Sequence, residues 1–422
     1  MNTIQNESGA PQNPLLASQA PQSVNEYLSG SLRRIRGGDI GVLPIVIGMI
    51  IIAIIFQSAN SNFLTPRNLV NLIVQMAAIT SIAYGIVFIL LLGEIDLSVS
   101  FVSAVGGVGM ALLLRPPPNW PAWIPAMPWF VAIPLALLLV TTIGFVQGKI
   151  ITYFQLPAFV VTLAGFLVWS GVVLIMIGGA GTVIIQDKTV LGIANSFLSP
   201  ELGWIAAAAF VAVVAVTQVM ERRTRLSKGL SSRPIPIIAG QVVGLALIIG
   251  IAVYISNLDR GVPFVGVLML IILGILNYVA TRTRFGRYVY AVGGNKEAAR
   301  RAGIPVERIR VFVFMLASFM AGVGGIILSS RLRSVATNTG GGDLLLNSIA
   351  AAVIGGTSLF GGRGNVSSAI LGAVIIASVD NGMGLIPNVS AGAKFVVTGL
   401  VLLVAVVVDA LSRRSQQQSG VR

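Results

Sequence analysis

The chain alternates long apolar runs with short polar or glycine-rich breaks along most of its 422 residues. Several of the runs reach the roughly 20 residues that an α-helix needs to cross a bilayer. Two runs, 98–114 and 344–360, are shorter and rich in glycine, a pattern that half-helices and re-entrant segments also show. The pattern predicts twelve apolar segments: 40–57, 69–92, 98–114, 129–148, 157–178, 202–220, 235–256, 262–280, 308–330, 344–360, 366–386 and 392–411. We therefore expect an all-α polytopic membrane protein with about 10 to 12 transmembrane helices.

The composition supports this class and removes several kinds of chemistry. The residues are 55% hydrophobic and 10% charged, whereas about 25% of the residues of a soluble domain are charged. The chain has no cysteine and no histidine, so disulfides, thiol chemistry and imidazole metal sites are excluded. We predict neither a metal site nor catalytic residues, and we do not expect an enzyme.

The net charge of +14 is compatible with nucleic-acid binding, but the distribution of the charge favours another explanation. The basic residues lie in the breaks between apolar segments, and cytoplasmic loops of membrane proteins collect Lys and Arg. With twelve crossings and a cytoplasmic N-terminus, 21 of the 28 basic residues fall on the cytoplasmic side and 7 on the other. The bias predicts that both termini are cytoplasmic and that nucleic acid is not a partner.

Three regions follow from the same pattern. Residues 1–39 are polar and form a predicted disordered cytoplasmic tail, residues 40–412 form the transmembrane domain, and residues 413–422 form a cytoplasmic C-terminal tail. The basic loop 221–233 is expected to contact membrane lipid or a cytoplasmic partner. Two pairs of glycines spaced four apart predict close helix packing: Gly144 with Gly148, and Gly240 with Gly244.

The cytoplasmic loop 281–307 contains a short predicted helix with marked ends. Asn295 is a favourable N-cap, and Gly303 followed by Pro305 is typical of a helix end. Glu297 and Arg301 have the spacing and order of a stabilising pair. A helix of two turns is not stable alone, so it needs a surface to lie on, either the membrane or a partner protein.

This loop carries a resemblance to a known family. Residues 294–304 resemble the cytoplasmic coupling-helix signature of sugar ABC-transporter permeases of the ribose/xylose type, which belong to the branched-chain amino acid/monosaccharide permease family. Residues 93–100 and 351–364, continued by 380–382, resemble the same family in the same order. The resemblance covers roughly residues 40–412, and the additional stretch near 200–256 resembles the longer xylose subgroup.

The resemblance implies a permease subunit of an ATP-binding-cassette importer for a monosaccharide, with D-xylose as the expected sugar, in a bacterial inner membrane. It implies a homodimer, a cytoplasmic ATPase subunit that binds the ATP, and a periplasmic sugar-binding protein, with no cofactor on this chain. The residues implied in ATPase coupling are Asn295, Lys296, Glu297, Ala298, Arg300, Arg301 and Gly303. The alternative class is an ion-coupled secondary sugar transporter, which needs an ion site at the middle of the membrane.

Polar residues near the membrane are candidates for the transport path or its gate. Glu94 and Asp96 lie between two apolar runs, either in a tight hairpin where Asp96 or Ser98 caps the next helix, or in contact with the path or the ATPase. Asp380 is placed within a span beside Asn381, where it serves either structural hydrogen bonding or the lining of a polar path. Two further path candidates lie between glycine pairs, and they are Thr357 and Ser358.

Overall fold

A computed structural model describes residues 43–116, 125–229, 232–390, 392–400, 403 and 407. The first helices are α1 (Leu43–Ala59), α2 (Pro66–Leu91), α3 (Val99–Leu114), α4 (Trp129–Tyr153), α5 (Ala158–Ile177), α6 (Lys188–Asn195) and α7 (Pro200–Ser227). The later helices are α8 (Ile235–Asn257), α9 (Phe264–Arg282), α10 (Arg284–Gly294), α11 (Lys296–Arg301), α12 (Val306–Leu332), α13 (Leu344–Ile354) and α14 (Ser368–Leu385). A 3-10 turn, Gly178–Ala180, follows α5, and the strands are β1 (Thr182–Ile184) and β2 (Ser334–Ala336).

The predicted all-α membrane architecture is confirmed. Within the described residues, eight helices are long and apolar enough to cross a membrane: α2, α4, α5, α7, α8, α9, α12 and α14. The apolar helices α1, α3 and α13 are shorter. Eleven of the twelve predicted apolar segments coincide with these helices, and the last is described only in part, with 392–400 helical.

The two short predicted segments differ from each other. Segment 98–114 is one continuous helix, α3, and most of its residues are buried. Segment 344–360 is helical only as far as Ile354, and its glycine-rich remainder forms turns. The predicted tails 1–39 and 413–422 lie outside the described residues.

The chain divides into two compact units. The described part of the smaller unit runs from Trp204 to Val253 and holds most of α7 and α8. Within it, the Trp204 ring lies 3.7 Å from where a Cβ on Gly250 would stand. The larger unit comprises the described residues of Gly41–Gly203 and Tyr254–Arg414 and contains every other helix.

Helix α12 lies at the centre of the larger unit, between α2, α3 and α4. Glycines on the neighbouring helices allow the backbones to come close. A Cβ on Gly85 of α2 would lie 2.9 Å from the Cα of Ala317, and one on Gly148 of α4 would lie 2.9 Å from the Cα of Val311. The close packing predicted for Gly144 and Gly148 is therefore confirmed.

The other predicted glycine pair does not behave in this way. Apart from the nearby backbone of α8 itself, no heavy atom of the described chain lies within 4 Å of a Cβ built on Gly240 or Gly244. The spacing of four residues selects a helix face, but whether another helix lies against that face depends on the tertiary fold.

Strand β1 pairs antiparallel with β2, so that Thr182 lies opposite Ala336. Helix α6 lies beside the end of α12, where Asn195 Nδ2 donates to the Ser330 carbonyl at 2.8 Å. The sequence pattern predicted neither of these features, because both segments are too short to show a clear period. Both features lie at the C-terminal end of α12.

Candidate functional site

The three sequence motifs meet at the N-terminal end of α12, and glycines allow the contact. The Gly362 N–H donates to the Leu91 carbonyl at 2.9 Å. A Cβ on Gly293 would overlap the same Leu91 carbonyl oxygen, and one on Gly361 would lie 2.9 Å from the backbone nitrogen of Gly93. Gly361 has a φ of +86° and Gly93 a φ of +75°, a region that other residues rarely adopt. Glycine is therefore required here both by space and by backbone conformation.

The short helix α11 starts and ends where the sequence predicted. Asn295 Oδ1 accepts a hydrogen bond from the Ala298 N–H at 2.9 Å, and Gly303 has a φ of +80° after the last turn. Ala299 is buried against the core and anchors the helix. The other positions are exposed, and those implied in coupling are Lys296, Glu297, Ala298, Arg300 and Arg301. The loop thus presents a capped, charged helix on a fixed base.

Arg300 connects this helix to α12. Its guanidinium donates to Glu297 and to Glu307, both at 2.8 Å. The spacing in the sequence favoured a pair between Glu297 and Arg301, whereas the observed partner of Glu297 is Arg300. Arg300 also donates to Glu307 in the first turn of α12, so that one guanidinium joins the two acids. Lys296 is exposed overall, but partial desolvation beside the other charges lowers its pKa below the usual range.

A buried ion pair joins the 93–98 loop to the same helix. Glu94 and Arg310 form it, with side-chain exposures of only 14% and 9%. Among the described residues, the second carboxylate oxygen of Glu94 is buried without a hydrogen-bond partner. Charges at this depth depend on each other, because either one alone is costly to bury. In the count of basic residues Arg310 falls on the cytoplasmic side, yet it lies inside the predicted apolar segment 308–330. A charge inside an apolar segment is the signal that could have identified it.

An open cavity of about 540 Å³ separates α11 from this ion pair. Six charged side chains line it: Glu94, Lys296, Glu297, Arg300, Glu307 and Arg310. Apolar residues complete the rim, among them Leu156 and the exposed Phe159 at the start of α5. A surface of mixed charges beside exposed apolar groups is suited to contact with another protein.

Asp96 has a different environment from Glu94. It is 3% exposed, and its Oδ1 accepts hydrogen bonds from the Ser98 N–H at 2.8 Å and the Ser98 hydroxyl at 2.7 Å. Gln147 Nε2 of α4 donates to the same hydroxyl at 3.1 Å. Burial raises the pKa of Asp96, a loop residue between α2 and α3, to about 6, although the hydrogen bonds from Ser98 oppose the shift. The carboxyl group is therefore bonded to Ser98, the residue before α3. Whether Asp96 serves the start of the helix or the transport path stays a prediction.

Thr357 and Ser358 lie in the turns after α13, near the three-motif contact, and both are 1% exposed. The Ser358 N–H donates to the Arg363 carbonyl at 2.8 Å, and the Phe360 N–H donates to the Ser358 hydroxyl at 3.1 Å. The Thr357 hydroxyl is buried and has no hydrogen-bond partner in the part of the chain that the structure describes. The contacts of Ser358 stabilise the turn, and a path-lining role for either residue stays a prediction.

Asp380 and Asn381 lie in α14 and face different surroundings. Asn381 exchanges hydrogen bonds with Asn68 at 2.7 and 3.1 Å and donates to Gln75 at 3.0 Å, so it joins α14 to α2. Asp380 is half-exposed, pairs with Lys394 at 3.6 Å and lines a second cavity. The sequence placed no basic partner beside Asp380, because Lys394 is distant enough along the chain that only the fold brings it close.

Comparison with known proteins places the chain in a family. The profile of the family described as "branched-chain amino acid transport system / permease component" matches residues 68–406. The chain belongs to this family of permeases. The resemblance to sugar ABC permeases of the ribose/xylose type is confirmed, and because the family consists of transport permeases, the chain is not an enzyme.

Individual relatives agree with this assignment. The chain is 37% identical over 389 residues to the xylose transport system permease protein XylH of Escherichia coli, covering 92% of this chain and 96% of the relative. It is 32% identical over 388 residues to XylH of Haemophilus influenzae, covering 90% and 99%. It is 30% identical over 363 residues to the ribose import permease protein RbsC of Bacillus subtilis, covering 86% and 91%. No solved structure matches the chain.

Proposed function

We propose that this chain is the membrane-spanning permease subunit of an ABC importer whose substrate is D-xylose. The exposed helix α11, fixed by three glycine-packed motifs beside a charged cavity, is the observation that carries the proposal. The XylH relatives, which match most of the chain, support xylose as the sugar. The partners are a second copy of the chain, a cytoplasmic ATPase subunit that binds ATP, and a periplasmic sugar-binding protein.

In this proposal the ATPase subunit docks on α11. The contact residues are those that the resemblance implied: Asn295, Lys296, Glu297, Ala298, Arg300, Arg301 and Gly303. Movement of α11 passes to α12 through the pair of Arg300 with Glu307, and the pair of Arg310 with Glu94 joins α12 to the 93–98 loop. Both end on the first turns of α12, so that helix receives the motion of the ATPase.

Twelve crossings with cytoplasmic termini, in a bacterial inner membrane, complete the proposal. Leu91, Gly293 and Gly362 meet at one end of the helices, and Asn60 Nδ2 donates to the Leu385 carbonyl at the other end. Residues that lie at the same end of the helices must be separated along the chain by an even number of crossings. Counting α3 and α13 as crossings satisfies this condition in every case, and α1 together with the last apolar segment brings the total to twelve.

The orientation is testable without a background signal because the natural chain has no cysteine. Single substitutions Glu297→Cys and Asn338→Cys place one thiol at each end. A membrane-impermeant maleimide applied to intact spheroplasts should label the cysteine at 338 and spare the one at 297. Labelling at 297 but not at 338 would invert the orientation, and labelling at both would refute the assignment of the two ends to opposite sides.

The function is tested by reconstituting the permease in liposomes with its ATPase subunit and binding protein. We expect xylose uptake that requires ATP. Uptake driven by a proton or sodium gradient without the ATPase would overturn the proposal in favour of a secondary transporter. Glu297→Arg and Gly303→Val should each reduce ATP-dependent uptake and binding of the ATPase subunit while membrane insertion stays normal. Lys188→Glu, an exposed charge reversal on α6, is the matched control and should leave ATPase binding unchanged.

A further inference from the structure

The second cavity lies at the C-terminal end of α12, opposite the end that holds Arg310. Arg310 and Arg331 are 21 positions apart, which corresponds to about 30 Å along a helix at 1.5 Å per residue. The cavity has a volume of about 430 Å³, within the roughly 300–1,000 Å³ range of small-molecule sites. Its walls come from α2, α12, α13, α14 and the turn that follows β2.

One residue of the cavity wall has a buried polar atom that lacks a partner among the described residues. Asn347 of α13 lines the cavity and is 3% exposed. Its Nδ2 donates to Asp343 Oδ2 at 2.8 Å, which fixes the orientation of the amide. Its Oδ1 has no hydrogen-bond partner within the described residues. A buried acceptor without a partner costs about 1–3 kcal/mol, so a ligand that brings a hydroxyl donor to this position is favoured.

The charges around the cavity indicate a ligand without net charge. Two acids, Asp343 and Asp380, and one base, Arg331, line it. Lys394, which pairs with Asp380 at 3.6 Å, brings the local sum to zero. An isolated cation or anion would be repelled on entry by the charges of its own sign. A neutral ligand with several hydroxyl groups meets both donors and acceptors, since carboxylates accept hydrogen bonds, guanidinium groups donate them and amides do both.

A cavity of similar volume, about 530 Å³, shows the contrast. It lies between α4, α6, α9 and α12 and is lined only by apolar residues, such as Leu268, Ile272 and Phe319. A sugar in that cavity would leave its hydroxyl groups without partners, at a cost for each. Of these two cavities, only the one beside Asn347 can satisfy a polar neutral ligand.

We propose that the cavity lined by Arg331, Asp343, Asn347 and Asp380 is a monosaccharide-binding subsite of the permease itself, on the side from which substrate enters. The inference rests on the proposed import of a sugar and adds the position and chemistry of its contact with the membrane subunit. The site binds weakly, because none of its lining residues is aromatic and polar contacts in an open cavity compete with water. Weak binding suits a passage that must also release its cargo.

The test measures sugar binding to the purified permease in nanodiscs, without ATPase or binding protein, by saturation-transfer NMR titration. We expect saturable D-xylose binding in the millimolar range. Asn347→Leu and Asp380→Asn should each weaken it at least fivefold. Asn277→Leu, the same chemical change on α9 away from the cavity, should leave it unchanged. Retained binding of the ATPase subunit at the other end of α12 verifies that each variant is folded.

The outcomes separate this inference from the proposed function. ATP-driven xylose uptake by the assembled transporter without saturable binding to the permease alone would overturn the subsite and leave the proposed function standing. Xylose binding that Asn347→Leu and Asp380→Asn do not weaken would overturn its location. Leucine, a zwitterion that is also neutral overall, is the control ligand, and binding of leucine at the strength of xylose would overturn the sugar chemistry. Absence of ATP-driven uptake in the assembled transporter would instead refute the proposed function.

Discussion

The ion pair between Glu94 and Arg310 offers the most direct test of how the core is held. Replacing Glu94 with Gln removes the negative charge, keeps the size of the side chain and leaves Arg310 charged in a site where its side chain is 9% exposed. Removal of one partner of a buried pair costs about 3–5 kcal/mol, because the remaining charge is uncompensated. The Glu94 side chain is 14% exposed, so some water reaches the pair and we expect the lower end, about 3 kcal/mol.

A second substitution separates the charge from the packing. Met at position 310 keeps most of the apolar stem of the arginine and removes its charge. The double variant Glu94→Gln/Arg310→Met contains no uncompensated charge, so its stability should return to within about 1 kcal/mol of the natural chain. The two changes therefore couple by roughly 2 kcal/mol or more, whereas distant sites add without coupling.

The assay is reversible unfolding by sodium dodecyl sulfate in mixed micelles, followed by circular dichroism for the natural chain, both single variants and the double variant. Asp259→Asn is the control, because its pair with Arg260 is exposed on the arginine side and such pairs contribute about 1 kcal/mol or less. A cost below about 1 kcal/mol for Glu94→Gln, or a double variant as unstable as the sum of the singles, would refute the reasoning.

Three further predictions concern neighbouring features. Gly293→Ala should lower the unfolding free energy by about 2–3 kcal/mol, because the added Cβ would overlap the Leu91 carbonyl. Gly294→Ala is the control, because a Cβ there meets no atom of another described segment within 4 Å. Equal losses of unfolding free energy in the two variants would contradict the packing explanation. Asn295→Ala should lower the stability of α11 by about 1 kcal/mol, and Asn295→Asp should keep that stability because aspartate is an equally good N-cap. Amide hydrogen exchange at Ala298 measures the difference. Equal exchange rates in the two variants would exclude a stabilising cap at position 295. Because burial raises the pKa of Asp96 from 3.8 to about 6, the folded chain keeps this proton to a higher pH than the unfolded chain. The unfolding free energy should therefore decrease as the pH rises from about 4 to about 6. The variant Asp96→Asn should lack this dependence on pH, and a dependence equal to that of the natural chain would exclude Asp96 as its source.

Features of the fold that depend on a few neighbouring residues could be predicted from the sequence. The apolar runs located the membrane helices, since burial in lipid requires continuous apolar stretches. Asn295 and Gly303 marked the ends of α11, because a cap is formed by residues within one turn of it. The resemblance of three motifs identified the family, and in the structure these three motifs contact one another at the N-terminal end of α12.

Contacts between distant segments could not be predicted in this way. Glu94 and Arg310 are 216 positions apart, and Asn68 and Asn381 are 313 positions apart. No local pattern selects such partners, because the pairing depends on how the helices pack. The buried acceptor of Asn347 was missed for the same reason, since only the surrounding fold determines whether an amide oxygen finds a partner.

Helix α12 connects the two proposed sites physically. Near each end it carries an arginine whose acidic neighbour belongs to another segment, Glu94 for Arg310 and Asp380 for Arg331. Between them, Gly85 of α2 and Gly148 of α4 lie directly against its backbone. A displacement of α12 along its axis would therefore change the ion pair beside α11 and the polar cavity at the same time. Because coupling between distant sites requires an element that both sites bias, we expect α12 to be the element through which the motion of the ATPase reaches the sugar.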